Sequence, residues 1–141
     1  MNTRPTGLRE IPGFIARTSP SLALIKYWGK SDTSANLPAT PSLAISLKHL
    51  VTETRLWAID SHSVTAGGSG PNDMVVVGGK LQPSERFTTF FDGFRSSIGR
   101  PGLRFWAESR NSFPTAAGLA SSSSGFAALT LAAAAATDLL G

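Results

Sequence analysis

The sequence predicts an α+β domain: a mixed or antiparallel sheet with helices on one face. Three observations carry this. Apolar and β-branched runs come in pairs through the first 81 residues. A phenylalanine stripe follows, with Phe87, Phe90, Phe91, Phe94 and Ile98 at i, i+3, i+4, i+7 and i+11, the spacing of one helix face. The chain then closes with an alternating strand, a glycine-serine loop and an alanine-rich run, so strands precede helices rather than alternating with them throughout.

Taken in order, residues 1–18 read as a flexible N-terminal arm. Met1–Pro12 is polar and carries Arg4, Pro5, Arg9 and Pro12. Phe14–Arg17 and Ser21–Ile25 are short apolar runs around Pro20, read as two strands or one bent strand. Lys26–Lys30 reads KYWGK, and Ser31–Thr40 is a polar loop containing Pro38. Ser42–Leu47 alternates, and Val51–Ile59 is rich in β-branched and aromatic residues. These two are expected to pair antiparallel through a turn near Lys48–Leu50. Ser61–Asp73 reads as a mobile loop. Met74–Val77, Gly78-Gly79 and Lys80-Leu81 predict a hairpin with a two-residue glycine turn. The phenylalanine helix runs Ser84–Ile98, with Ser84 as N-cap and Gly99 and Pro101 as the stop. Leu103, Phe105 and Ala107 alternate with Arg104, Trp106 and Glu108, as in a half-buried strand.

Composition narrows the classes. The chain has 141 residues, 41% of them hydrophobic, with Lys plus Arg 13 against Asp plus Glu 9, a net charge of +4. That is one domain or part of one, with enough apolar content to exclude disorder. The modest positive balance suits an anionic partner, but no basic run marks nucleic acid. No cysteine is present, which excludes disulfides, thiolate chemistry and cysteine-based zinc sites and agrees with a cytoplasmic location. No signal-peptide h-region opens the chain, and the alanine-rich run is too weakly apolar to span a membrane.

The stretch Asn111–Ser124, NSFPTAAGLASSSS, joins the alternating strand to the last helix. Pro114 and Gly118 are turn residues. Ser121–Ser124 place four hydroxyls where a helix start has unpaired N–H donors and a partial positive charge, a setting for phosphate. A serine N-cap is the simpler account, but capping requires only one hydroxyl. Gly29-Lys30-Ser31 resembles the end of a Walker A motif. The required glycine five residues earlier is Leu24, so that reading fails. Lys30 or Lys26 can bind phosphate as a point charge or serve as a solvated surface lysine. Arg86 falls in the first turn of the phenylalanine helix, where a cation opposes the helix dipole; it either serves an anion or is a surface arginine. Asp32 and Asp60 are isolated carboxylates. His49 and His62 lie at no metal-ligand spacing.

Two of these stretches together resemble one family. SLALIKYWGK (Ser21–Lys30) and NSFPTAAGLASSS (Asn111–Ser123) are similar to the diphosphomevalonate decarboxylases, members of the GHMP small-molecule kinase superfamily. The likeness continues through Asn36-Leu37-Pro38, Ser42–Leu47 and Met74–Arg86. It implies a GHMP kinase N-terminal domain, similar to ribosomal protein S5 domain 2, occupying residues 19–141 in part, with a C-terminal domain absent. The implied reaction is ATP-dependent decarboxylation of mevalonate 5-diphosphate to isopentenyl diphosphate, in isoprenoid biosynthesis by the mevalonate pathway. Another GHMP small-molecule kinase, or a decarboxylase of a related phosphomevalonate, is the alternative.

By position, the resemblance assigns Tyr27, Trp28, Gly29, Lys30 and Arg86 to the substrate. Pro114, Ala116, Ala117, Gly118, Leu119, Ala120, Ser121, Ser122 and Ser123 fall to ATP, with Ser121 and Ser122 on Mg²⁺. The partners implied are ATP and mevalonate 5-diphosphate, with no nucleic acid and no membrane, and a homodimer in the full-length protein. The family's catalytic aspartate does not fall in this stretch, so the chain alone is expected to be inactive and to leave a sheet edge open. Three departures stand out: Ser31 replaces an arginine, Thr40-Pro41-Ser42 replaces Asn-Ser-Ser, and Ser122-Ser123-Ser124 replaces Ser-Ala-Ala.

Overall fold

The computed structural model of the protein describes residues 12–26, 28–34, 37–60, 72–114 and 121–138. Nine strands and two helices follow in order: β1 (Phe14–Thr18), β2 (Ser21–Ile25), β3 (Lys30–Asp32), β4 (Leu37–Pro38), β5 (Leu43–Ser46), β6 (Thr52–Asp60), β7 (Met74–Val77), β8 (Lys80–Leu81), α1 (Glu85–Ser97), β9 (Leu103–Asn111) and α2 (Ser121–Ala136).

The main sheet has five strands in the order β1-β6-β9-β7-β8. Every pair is antiparallel except β7 and β9, which run parallel. Alternation along the two nine-residue strands sorts their side chains. Leu56, Leu103, Phe105 and Ala107 join Phe91 of α1 and Leu129, Ala132 and Ala133 of α2 in one core. Both helices therefore cover the same face, as the alternation and the helical stripe predict. The phenylalanines lock the layers: Phe91 stacks on Phe105 at 4.9 Å, and Phe87 and Phe90 of α1 meet Phe126 of α2 at 5.7 and 5.5 Å. Small alanines at the buried positions let α2 lie close to the sheet.

The opposite face carries a second cluster, Trp57, Ile59, Val76 and Trp106. Trp106 falls on the side of β9 expected to face solvent, yet it is buried beside its cross-strand partner Trp57. Gly13 runs against the Trp57 ring, where an added Cβ would fall 2.5 Å from a ring atom.

Two expectations are corrected. The arm expected over 1–18 gives way at Phe14 to a strand of the main sheet. Ser42–Leu47 does not pair with Val51–Ile59: β5 pairs with β2, and β6 with β1 and β9. The physical reason is a double bend. Buried Pro20 breaks the ladder on one chain, Lys48–Leu50 turns the other, and Leu47 N–H donates to the Pro20 carbonyl at 2.9 Å between them. A proline supplies no donor, so two long strands split between two sheets there. The two-strand reading around Pro20 is thus the correct one.

The glycine hairpin forms as expected, with Gly78 at φ 56° and Gly79 at φ 80°, the left-handed pair that a two-residue turn of this hand requires. Ser84 precedes α1, but its hydroxyl makes no cap bond; its carbonyl instead accepts from Thr88 Oγ1 at 3.0 Å. Most of the loop expected over Ser61–Asp73 lies outside the described residues. Asp73 itself is firmly held, as described in the Discussion.

Candidate functional site

The start of α2, the first turn of α1 and the polar end of the sheet enclose a cavity of about 130 Å³. Ser121, Ser122 and Gly125 line it from α2, Arg86 and Phe87 from α1, Gln82 from the turn before α1, and Thr54, Val75, Ser109 and Asn111 from the sheet. Ligand pockets run roughly 300–1,000 Å³, so this one admits part of a ligand and leaves the rest at the rim.

Its electrostatics favour an anion. Arg86 is exposed and makes no ion pair among the described residues. It faces the same space as the first turn of a sixteen-residue helix, whose free N–H groups carry partial positive charge. Among the described residues no carboxylate or histidine lines the cavity. The sequence-level misfit of Arg86 with its own helix dipole is therefore matched by its placement beside the N-terminus of the other helix.

The four serines divide the work. Ser121 and Ser122 line the cavity. Ser123 is exposed and outside the lining. Ser124 is buried: its hydroxyl meets Thr52 Oγ1 at 2.8 Å and the Ser121 carbonyl at 3.2 Å, while its own carbonyl accepts from Thr18 Oγ1 at 2.8 Å. The Ser124 hydroxyl thus ties the helix start to β6, and the Ser124 carbonyl ties it to β1.

Pro114 is exposed at the end of the β9 segment. Ala116, Ala117, Gly118, Leu119, Ala120 and Tyr27 lie outside the described residues. Trp28, Gly29 and Lys30 do not line the cavity. They sit at the base of a separate ribbon, β3 with β4, that shares no strand pairing with the main sheet. Gly29 takes φ 76°, and its carbonyl accepts from Ala39 N–H; Trp28 is 85% exposed. Ser31 turns its hydroxyl to the Leu37 and Pro38 carbonyls. Asp32 accepts from Ser34 N–H and Oγ–H at 2.8 and 2.7 Å, a local turn that accounts for this carboxylate. The structure therefore brings Arg86, Ser121 and Ser122 together and leaves the Trp28–Lys30 turn outside their cavity.

Sequence reasoning missed Thr54, Gln82, Ser109 and Asn111. A signal existed for three of them. Thr52 and Thr54 continue the core face of Leu56, and Ser109 and Asn111 continue that of Ala107. Polar residues extending an apolar face mark a place where the core opens.

A divalent cation fits here only in company. Among the described residues no three His, Cys, Asp or Glu side chains converge. Ser121 and Ser122 offer two hydroxyl oxygens, so Mg²⁺ would take its remaining ligands from phosphates and water. The larger groove, about 570 Å³, lies on the opposite sheet face. There Glu53 and Glu108 accompany Arg55 and Arg110, which leaves little net field for an anion.

An α+β domain with two helices on one face of a mixed sheet, and a serine-lined helix start at a cavity, is the class that fold and site define. The chain belongs to the diphosphomevalonate decarboxylase-like N-terminal domain family, whose model matches residues 18–140. It is 37% identical over 129 residues to diphosphomevalonate decarboxylase mvd1 of Aspergillus fumigatus, covering 79% of this chain and 30% of the relative. It is 33% identical over 127 residues to a phosphomevalonate decarboxylase of Haloferax volcanii, covering 88% of this chain and 36% of the relative. Among solved structures, mevalonate diphosphate decarboxylase from Staphylococcus aureus superposes with TM-score 0.77 at 33% identity, over 95% of this chain and 39% of that one. MDDEF in complex with MVAPP, AMPPCP and magnesium gives TM-score 0.73 at 35% identity, over 90% of this chain and 37% of that one. The chain thus spans about a third of the length of the proteins it matches.

Proposed function

We propose that this chain supplies the phosphate-holding part of an ATP-dependent decarboxylase acting on mevalonate 5-diphosphate. The observation that carries the reading is the convergence of Arg86, Ser121 and Ser122 on one cavity. Family membership supports it, as does a related structure in complex with MVAPP, AMPPCP and magnesium.

The chemistry asks for what this cavity offers. A tertiary hydroxyl leaves poorly as hydroxide and well as phosphate. ATP first phosphorylates it. Departure of that phosphate, with the C–CO₂ bond electrons forming the alkene, gives CO₂ and isopentenyl diphosphate. Two polyanions must be held side by side during transfer, which is mostly positioning and charge stabilisation. The first-turn N–H groups of α2 and the Ser121 and Ser122 hydroxyls would hold ATP phosphates. Arg86, from the opposite wall, would hold the substrate. Mg²⁺ would arrive on the nucleotide and neutralise charge between its phosphates. Trp28, Gly29 and Lys30 would meet the substrate's distal phosphates at the outer rim. Among the described residues the cavity has no carboxylate to accept the hydroxyl proton, so on this reading the chain alone would bind without turnover. The parent enzyme on this reading is a cytoplasmic homodimer.

The test is calorimetric titration of the 141-residue chain with Mg²⁺–AMPPCP and with mevalonate 5-diphosphate, followed by a CO₂-release assay. Binding of both without CO₂ release is expected, and Arg86→Ala should weaken the second at least tenfold. Absence of binding to either overturns the reading. The match to a phosphomevalonate decarboxylase favours a second substrate, mevalonate 5-phosphate. Tighter binding of the monophosphate than of the diphosphate would select it.

A further inference from the structure

Behind the cavity runs a buried line of hydroxyls. Thr52 is 1% exposed and Ser124 is 3% exposed. Thr52 Oγ–H donates to Asn111 Oδ1 at 2.8 Å, and the Thr52 and Ser124 oxygens lie 2.8 Å apart. Each hydroxyl has one proton. Thr52 directs its proton to Asn111. The one Ser124 proton has two acceptors within reach, Thr52 Oγ1 at 2.8 Å and the Ser121 carbonyl at 3.2 Å. The three side chains form one line: Ser124, Thr52, Asn111. It starts on the first turn of α2, crosses β6 and ends on β9. Asn111 is itself a lining residue of the cavity. Thr18 adds a second tie by donating to the Ser124 carbonyl.

We propose that Ser124 and Thr52 are positioning residues for phosphate binding. Neither touches the ligand. Together they fix the orientation of the α2 first turn, which aims Ser121 and Ser122, and the rotamer of the Asn111 carboxamide in the facing wall. The inference rests on the proposed phosphate site.

Ser124→Ala separates positioning from folding. Alanine is the better helix former, which offsets part of the lost hydrogen bond. Its Tm should therefore stay close to that of the parent, while its affinity for Mg²⁺–ATP falls about fivefold, the equivalent of one ordinary hydrogen bond. Thr52→Val should weaken binding by a similar factor. Thr52→Ser, which keeps the hydroxyl, should restore it even if Thr52→Val folds poorly. Amide NMR shifts of Ser121–Ser123 should move in Ser124→Ala without ligand. Equal affinities in the parent chain and Ser124→Ala, with Thr52→Ser no better than Thr52→Val, would overturn the inference. If the parent chain itself ignores Mg²⁺–ATP, the phosphate site fails instead, and the two outcomes are distinct.

Discussion

Asp73 and Arg95 form a partly buried ion pair, Oδ2 to Nη1 at 2.7 Å, with side chains 15% and 9% exposed. The other Asp73 oxygen accepts from Phe105 N–H at 2.9 Å. Arg95 also donates to Asp92 and to the Leu103 carbonyl. Burial works against the Arg95 charge, but the hydrogen bonds it donates to Asp73 and Asp92 outweigh that and raise its pKa. One carboxylate thus joins the entry of β7 to α1 and β9.

Removing Asp73 leaves a buried guanidinium whose remaining carboxylate partner, Asp92, is exposed. Asp73→Ala should cost about 2–4 kcal/mol, measured as the shift in urea midpoint at constant m. Asp92→Ala, at the exposed member, should cost under about 1 kcal/mol. Equal effects would refute the asymmetry.

Two glycine-to-alanine changes should move stability in opposite directions. At Gly13 a Cβ meets three atoms of the Trp57 ring within 2.8 Å, and Trp57 is buried with no room to retreat. Gly13→Ala should destabilise by about 1–3 kcal/mol. At Gly93, exposed in mid-α1, a Cβ meets nothing within 4 Å. Gly93→Ala should stabilise by about 0.5–1 kcal/mol. Thermal melts of both variants beside the parent check the signs.

Glu53 titrates below the ordinary glutamate range. The hydrogen bond from Arg17 Nε at 2.7 Å is the chief cause; partial desolvation opposes it, and Arg110 adds to it. A carboxylate with a depressed folded-state pKa stabilises the fold above its unfolded value, near pH 4.3, and that contribution is lost as pH falls through the folded value. The parent chain should lose stability relative to Glu53→Gln below about pH 4.3. The difference should shrink in high salt, because both arginines are exposed. Parallel acid titrations at two salt concentrations measure it.

The β2–β5 ribbon should make the chain sticky. Register partners Leu22 and Ile45, and Ile25 and Leu43, share a face and are 48–57% exposed. Neither strand contains a charged residue to guard its edge. Leu22→Lys with Ile45→Lys should lower concentration-dependent light scattering and leave the Tm within a few degrees.

Much of the main sheet was legible because each face of β6 and β9 repeats with period two, and α1 carries five apolar residues at helical spacing. The pairing of β5 was not legible. Alternation identifies a strand but not its partner, and the turn at Lys48–Leu50 looks like a hairpin until Pro20 is seen to break the neighbouring strand. Trp106 misled for a similar reason: alternation assigned it outward, but this sheet buries a second cluster around Trp57. At the candidate site, helix-end electrostatics singles out Ser121, Ser122 and Arg86, and the three line one cavity. The role of Ser124 was not legible, because the sequence cannot distinguish a serine facing a ligand from one facing Thr52. Asp73 was absorbed into a Gly/Ser-rich loop because its partner Arg95 lies 22 residues away.

Lys30 and Arg86 stand on separately paired parts of the fold: Lys30 in the β3–β4 ribbon, Arg86 on α1, which packs on the five-stranded sheet. On the proposed reading, an anion held at α2 and Arg86 would gain nothing from Lys30 until its far end reaches that ribbon. Affinity should then rise with anion length as a threshold rather than smoothly.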